Sequence, residues 1–264
     1  MRLTVNGIDI ACQVDGPDEA PVLILGHTLA TSRAMWRAQV PHLSRKHRVI
    51  SFDMRGHGES AAPDYPYSVE MLAEDVIGVL DGLGVERPAV YLGISIGGMV
   101  GQALGLRHPE RFRALILCNT VSRTPPEGRA MFDQRIEAIR KDGIESQVQP
   151  TLERWLSAEF RNRDAASTKW VADMIRGTSV AGMVGCCEAI KALDYTDQLD
   201  RITLPTLIIA GEKDPGAPVA AAEVILNRIK SAHLEVIAGC LHQTPIEAPD
   251  TFNRIVGGFL DRLR

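Results

Sequence analysis

The sequence predicts an α/β fold in which helices flank a mostly parallel sheet of eight strands and one group of helices is inserted as a cap. Two observations carry this prediction. Short apolar runs alternate with runs of helical periodicity, the order typical of strands joined by crossover helices. By contrast, residues 121–199 show helical patterns but no convincing strand. With 264 residues the chain is long enough for one such domain.

The strands are predicted where short β-prone runs are bounded by turn residues. The first two form an antiparallel start, because Asn6-Gly7 is a strong hairpin turn. The predicted strands are Leu3–Val5, Ile10–Val14, Val22–Leu25, Val49–Phe52, Ala89–Leu92, Ala114–Leu117, Thr206–Ala210 and Leu234–Ile237.

Helices are predicted between the strands and within the insertion. Those between the strands are Met35–Ser44, Val69–Leu83, Ile96–His108, Ala220–Arg228 and Thr251–Leu263. Those in the insertion include Gly128–Lys141, Val148–Phe160 and Ala165–Arg176. We therefore expect residues 1–120 and 200–264 to form the core and residues 121–199 to form a helical cap. Ligands bind at the carboxyl edge of open parallel sheets, so the cap is expected over the site.

Composition narrows the function classes. Lys and Arg total 29 against 33 Asp and Glu, a net charge of −4, which gives no reason to expect nucleic acid or an anionic membrane as a partner. There is no apolar run of about 18 residues and no apolar signal-peptide region, so we expect neither membrane spanning nor export. The 5 cysteines show no metal-ligand spacing, which predicts reduced thiols, a cytoplasmic location and no metal or other cofactor.

A candidate nucleophile follows the fifth predicted strand. Gly93-Ile94-Ser95-Ile96-Gly97 is a G-x-S-x-G motif, and a helical run comes directly after it. A strand that turns sharply into a helix crowds its own backbone, and the two glycines leave room for that turn. Ser95 is therefore predicted at the tip of the turn, as the nucleophile.

A serine nucleophile requires a histidine base, and the histidine requires an acidic partner. On this kind of sheet both follow the serine in the chain, the acid first. Asp214 ends the seventh predicted strand in a Gly/Pro turn, with Glu212 as a neighbouring competitor, and His242 follows the last strand. We predict a triad of Ser95, Asp214 and His242.

Acyl transfer also needs donors for the oxyanion. The backbone N–H of Ile96, directly after the nucleophile, is the first candidate, and the N–H of Leu29, in the loop after the third predicted strand, is the second. His27 is interpreted as an anchor of that loop, and Asp53–Ser60 as loop architecture.

The whole chain resembles the α/β-hydrolase superfamily and, within it, the 3-oxoadipate enol-lactonases. The matching positions are Met35-Trp36, Arg55-Gly56-His57-Gly58, Gly93–Gly98, Cys118-Asn119-Thr120, Arg135-Ile136-Glu137-Ala138, Glu153-Arg154-Trp155, Cys186-Cys187 with Ala189, Ala210-Gly211 through Asp214-Pro215, and His242 with Ile246-Glu247. The resemblance implies the α/β-hydrolase fold and cofactor-free hydrolysis of a small lactone. One departure is His27-Thr28-Leu29-Ala30, where the enol-lactonases usually carry an Asn-Ser-Leu-Gly type loop.

The leading hypothesis is a serine hydrolase that cleaves a small ester or lactone through an acyl-enzyme, with 3-oxoadipate enol-lactone as the substrate favoured by resemblance. Such a substrate carries a carboxylate, which a cation can bind. Arg135 and Arg154 are candidates for that cation, and Trp36 and Trp155 are candidates to line the pocket.

Two other interpretations stay open. A carboxylesterase or carbon–carbon bond hydrolase would use the same triad, and His27 favours it because His-Gly is common in those enzymes. A small-molecule receptor that retains the triad without turnover is the third, since a fold alone does not fix function.

Overall fold

In the computed structural model, which describes residues 1–263, one eight-stranded sheet runs through the molecule in the order β1-β2-β4-β3-β5-β6-β7-β8. The pairings β1–β2 and β2–β4 are antiparallel, and all the others are parallel. The strands are β1 (Arg2–Val5), β2 (Ile8–Asp15), β3 (Val22–Gly26), β4 (Arg48–Phe52), β5 (Ala89–Ile94), β6 (Phe112–Cys118), β7 (Thr206–Gly211) and β8 (Ala232–Ile237). The predicted fold class is confirmed.

The helices are α1 (Val40–Leu43), α2 (Val69–Gly82), α3 (Ile96–Arg107), α4 (Pro126–Asp142), α5 (Glu145–Trp155), α6 (Ala158–Arg163), α7 (Ala165–Arg176), α8 (Val180–Lys191), α9 (Val219–Arg228), α10 (Thr244–Glu247) and α11 (Pro249–Arg262). Short 3₁₀ helices span Arg33–Trp36, Pro109–Arg111 and Thr196–Arg201. Among residues 1–263, no helix combines the length and apolar character needed to cross a membrane.

Two predicted helices are divided in the structure. The stretch Met35–Ser44 contains a 3₁₀ turn and the short helix α1, which begins anew because Pro41 lacks an N–H and fits only a first helical turn. The stretch Val148–Phe160 is broken at Leu156, whose φ of −124° and ψ of 129° are extended. Ser157 then caps α6 by accepting a hydrogen bond from the Phe160 N–H at 3.1 Å.

Helix α8 was not among the predicted helices. It contains Gly182 and Gly185, which have low helix propensity, and most of its residues are buried, so one apolar face does not stand out. Tertiary contacts stabilise this helix although its local sequence does not favour one. The Ser179 hydroxyl, at the start of α8, donates to the Gly56 carbonyl at 2.9 Å.

Both faces of the sheet are buried, as expected for parallel strands covered by helices. Leu23 and Leu25 of β3 pack with Phe252 of α11 on one face, whereas Ile24 points to the opposite face, toward the cluster that includes Val100 of α3. This alternation fixes the register of the strands and therefore fixes which side chains reach the carboxyl edge. Helices α4–α8 are inserted between β6 and β7 at that edge.

Candidate active site

Ser95 stands alone between the end of β5 and the start of α3, with φ 58° and ψ −118°. Such a positive φ is unusual for a residue with a side chain and marks a strained turn. Two hydrogen bonds hold it: the Ser95 N–H donates to the Cys118 carbonyl at 2.9 Å, and the Thr120 hydroxyl donates to the Ser95 carbonyl at 2.9 Å. The last residue of β6 and the segment directly after that strand therefore hold the serine in its turn.

The two glycines of the motif are required by close backbone approach. A Cβ atom at Gly93 would lie 2.2 Å from the carbonyl oxygen of Gly97, and one at Gly97 would lie 2.4 Å from the carbonyl oxygen of Gly26. Both distances are far below van der Waals contact, so a side chain at either position would open the turn that presents Ser95.

Asp214 and His242 are brought together by the ends of β7 and β8. His242 Nδ1 lies 2.7 Å from Asp214 Oδ2, and Asp214 Oδ1 accepts hydrogen bonds from the N–H groups of Gly216 at 2.8 Å and Ala217 at 3.1 Å. Burial opposes ionisation of Asp214, but the charge of His242 and these hydrogen bonds bring its pKa below the ordinary value. The carboxylate is therefore held ionised beside the imidazole.

Asn119, the residue after β6, completes the surroundings of the acid. Its Nδ2 donates to Asp214 Oδ2 at 3.0 Å, and its Oδ1 accepts from the Thr244 hydroxyl at 2.7 Å. In the sequence this position stands out only through the resemblance, as part of Cys118-Asn119-Thr120, and its place after a strand is the signal that indicates a supporting role. Glu212 does not join the group: it is exposed and accepts from the Gly239 N–H at 2.8 Å.

Ser95 and His242 line one cavity of about 310 Å³ under the inserted helices. This volume lies at the lower end of the range for small-molecule sites. Leu29 and Met99 lie beside Ser95 in the lining, and Trp155 of α5 stacks on the His242 ring at a centroid distance of 6.1 Å. The other lining residues are Asn119, Thr120, Val121, Arg123, Thr124, Pro125, Glu127, Gly128, Met131, Phe132, Arg135, Arg154, Ile190, Pro215, Gly216 and Ala217.

The two predicted oxyanion donors are backbone N–H groups, and each can bind a substrate only if it has no hydrogen-bond partner within the protein. Ile96 is the first residue of α3, where an N–H has no partner within its own helix. Within residues 1–263, the Leu29 N–H likewise donates to no backbone or side-chain acceptor. Both groups are therefore free to bind an oxygen of a substrate.

Two buried histidines hold the loop that carries Leu29. His57 Nε2 accepts from the Ala30 N–H at 3.0 Å, and His27 Nε2 accepts from the Met54 N–H at 2.9 Å, so each ring carries its proton on Nδ1. The Nδ1–H of His27 donates to the Thr28 carbonyl at 2.8 Å. The peptides on both sides of Leu29 are thus fixed by neutral imidazoles.

Burial lowers the pKa of His27 to about 4 and that of His57 to about 3, against about 6.5 in an unfolded chain. Below pH 6.5 the unfolded chain takes up protons that the folded chain refuses, so stability is full above that pH and is lost as the pH falls. We expect the free energy of unfolding to drop by about 4 kcal/mol between pH 7 and pH 5 from these two groups. Urea denaturation at the two pH values measures this.

The variant His57→Gln keeps an acceptor for Ala30 but does not titrate, so we expect it to remove about half of this pH dependence. His42→Gln, the same substitution at an exposed position, is the matched control. An equal pH dependence in wild type and His57→Gln would contradict the assignment.

The predicted substrate-binding residues separate into two groups. Arg135 and Trp155 line the cavity, and so does Arg154. Trp36 does not: it is fully buried, and its ring packs against Phe252 at 6.3 Å on the other side of the sheet. The expectation that Trp36 contacts substrate is corrected, since its side chain fills the hydrophobic core and does not line the cavity.

Arg135 reaches the cavity from α4 and is held by Gln147 Oε1 and Thr151 Oγ1, both at 3.1 Å. Burial, reinforced by the nearby charge of Arg154, lowers the pKa of the Arg135 guanidinium. Both hydrogen-bond partners are neutral, so they do not balance the positive charge of the Arg135 guanidinium.

Residues 1–263 contain no cluster of three or more His, Cys, Asp and Glu side chains placed to hold a metal ion. The five cysteines are free and buried. Burial raises the pKa of Cys240, the one nearest in sequence to His242, to about 12.

Comparison with known proteins identifies the family and the fold of the chain. The profile of the alpha/beta hydrolase fold family matches residues 21–249. The 3-oxoadipate enol-lactonase 2 of Acinetobacter baylyi is 33% identical over 98% of this chain and 96% of its own. The crystal structure of the enol-lactonase from Burkholderia xenovorans superposes with a TM-score of 0.95 at 33% identity, over 99% of this chain and 100% of that one.

An esterase is also similar. The structure of a thermophilic esterase from Thermogutta terrifontis, with malate bound, superposes with a TM-score of 0.93 at 26% identity, over 100% of this chain and 98% of that one. With the family match spanning most of the chain and the fold shared throughout, this protein belongs to the α/β-hydrolase family.

Proposed function

We propose that this protein is a serine hydrolase that cleaves a small anionic ester or lactone through an acyl-enzyme. The observation that carries the proposal is the meeting of Ser95 and His242 at one cavity, with His242 Nδ1 2.7 Å from the buried Asp214 carboxylate. Asp214 accepts a hydrogen bond from the Nδ1–H of His242, which keeps the ring proton on Nδ1 and leaves Nε2 unprotonated and able to act as a base.

In this mechanism Ser95 Oγ attacks the carbonyl carbon while His242 Nε2 takes the hydroxyl proton. The oxygen of the tetrahedral intermediate is held by the N–H groups of Ile96 and Leu29, each of which contributes about 10²–10³ to the rate in comparable sites. The carbon–oxygen bond of the ring then breaks. His242 returns the proton to the leaving oxygen, and an activated water releases the acid from Ser95.

The arginines favour a substrate with a carboxylate. Arg135 brings a positive charge with neutral partners into the cavity, and Arg154 lies beside it. Of the described lining residues only Glu127 is acidic, and it is exposed. The enol-lactonase relatives support 3-oxoadipate enol-lactone as the favoured substrate. The enol of this lactone leaves more readily than an alkoxide, so the leaving oxygen depends less on protonation by His242.

We further propose a division of labour between the two parts of the chain. Residues 1–120 and 200–264 supply the triad and the oxyanion donors, whereas the cap, residues 121–199, supplies Arg135, Arg154 and Trp155. Substrate recognition would then vary with the cap while the chemistry stays with the sheet.

The variant Arg135→Gln tests anion binding. Removing a charged hydrogen-bond donor removes about 1.5–3 kcal/mol, so we expect KM for the anionic lactone to rise about 10- to 100-fold. For neutral p-nitrophenyl acetate the change should stay within about threefold, because that ester offers no carboxylate. Arg140→Gln, at an exposed position of the same helix, is the matched control. Equal changes in KM for both substrates would remove Arg135 from this role.

The function itself is tested by following the ultraviolet absorbance of 3-oxoadipate enol-lactone, with p-nitrophenyl acetate in parallel. We expect kcat/KM near 10⁶ M⁻¹s⁻¹ on the lactone, within the usual range for enzymes. Turnover of the ester without the lactone would retain the triad and favour the second candidate, a carboxylesterase, to which the esterase from Thermogutta terrifontis and His27 point. Ligand-induced stabilisation without any turnover would instead indicate a receptor.

A further inference from the structure

Glu247, the last residue of α10, is a buried carboxylate that the mechanism above does not use. Only 8% of its surface is exposed. A carboxylate in such a place requires strong partners, because burial without them is unfavourable by several kcal/mol. Its two oxygens have different partners: Oε2 accepts from the Leu241 N–H at 2.6 Å and Oε1 accepts from the Ser157 N–H at 2.7 Å.

These two partners belong to different parts of the chain. Leu241 directly precedes His242, and its carbonyl also accepts from Asn119 Nδ2 at 3.2 Å, so its backbone is held from both sides. Ser157 lies in the joint between α5 and α6, two residues after Trp155, which lines the cavity. Glu247 therefore connects the loop that carries the base to the inserted helices.

Two further contacts join the same places. The Gln243 N–H donates to the Trp155 carbonyl at 3.2 Å, and the Trp155 ring stacks on His242 at an interplanar angle of 25°. The backbone on both sides of His242 is thus tied to residues 155–157. An amide in place of the Glu247 carboxylate could accept only one of the two N–H groups and would turn its own NH₂ toward the other.

We propose that Glu247 is a positioning residue that fixes His242 against the α5–α6 joint, so that the base and the Trp155 wall of the cavity are set as one unit. This rests on the proposed role of His242 as the base. A displacement of about 1 Å at a reacting group can lower a rate about 10²-fold, so loss of this connection should affect kcat.

The first test is the variant Glu247→Gln, measured by the rate of reaction with diisopropyl fluorophosphate. In that reaction His242 Nε2 takes the hydroxyl proton, Ser95 Oγ bonds to phosphorus, and the phosphorus–fluorine bond breaks so that fluoride leaves. We expect the labelling rate constant and kcat to fall about 10- to 100-fold, with KM for the anionic lactone changed less than about threefold, because Arg135 is anchored elsewhere. The matched control is Glu212→Gln, which also removes a carboxylate acceptor of a loop N–H but at an exposed site. A merely structural role would lower the amplitude of labelling and leave its rate constant unchanged.

A second pair of variants changes Ser157, the residue of the inserted helices that bonds to Glu247. Proline fits at position 157, because Ser157 has φ −58° and its predecessor Leu156 is extended. The substitution Ser157→Pro removes two groups: the N–H that donates to Glu247 and the hydroxyl that caps α6. Ser157→Ala removes the cap alone and serves as the reference. We expect Ser157→Pro to label about 3- to 10-fold more slowly than Ser157→Ala.

The outcomes separate this inference from the proposed function. If wild type is not labelled and turns over neither substrate, the proposed function fails. If wild type is labelled, either of two results overturns the inference. The first is a labelling rate constant of Glu247→Gln equal to that of wild type. The second is an equal labelling rate constant for Ser157→Pro and Ser157→Ala.

Discussion

Replacing Ser95 with Ala is expected to lower kcat by at least about 10⁴-fold on both the lactone and the neutral ester. The loss follows from chemistry, since without Oγ no acyl-enzyme forms and water must attack an unactivated carbonyl. The fold should be unaffected, because the bonds that hold the turn use the backbone N–H and carbonyl of Ser95. Steady-state kinetics combined with a thermal melt measures both effects.

Ser122→Ala is a suitable control for this experiment. Ser122 is also a buried serine that follows a parallel strand, in its case β6, but its hydroxyl bonds to Thr196 at 2.7 Å, outside the cavity lining. Its kcat should stay close to that of wild type. Retention of more than about one hundredth of wild-type kcat by Ser95→Ala would show that another residue provides the nucleophile.

The sheet could be predicted from the sequence because each strand carries its own local signal. Buried runs such as Val49–Phe52 and Thr206–Ala210 are short, apolar and bounded by turn residues, and the hairpin at Asn6-Gly7 is marked by its dipeptide. The same holds for the position of Ser95, since the G-x-S-x-G motif lies between a strand and a helix. Local pattern and tertiary structure agree at these sites.

The sequence is less informative about side chains whose roles depend on tertiary contacts. Nothing local distinguishes Trp36, which fills the core, from Trp155, which stacks on His242. Asn119 reaches Asp214 across 95 positions of sequence, and Glu247 reaches Ser157 across 90. Such roles arise only when the ends of separate strands are brought together.

The identity of the acid is decided by replacing Asp214 with Asn, for which we expect kcat to fall by about 10⁴-fold. The amide would present its NH₂ or its oxygen to His242 Nδ1. In the first case the proton moves to Nε2, so the ring can no longer accept the Ser95 proton. Even in the second case, the ring loses the negative charge that stabilises the imidazolium formed during attack.

Glu212→Gln is the matched comparison, because Glu212 lies two residues away in the same turn but is exposed and accepts a hydrogen bond from the Gly239 N–H. We expect its kcat to stay within about threefold of wild type. The lowered pKa of Asp214 adds a second signature: its contribution to stability is present above the unfolded pKa of about 4 and is lost as the pH falls through the lower folded value. In Asp214→Asn that part of the acid dependence should disappear. A large loss of kcat in Glu212→Gln with little loss in Asp214→Asn would reverse the assignment and require the loop after β7 to rearrange during the reaction.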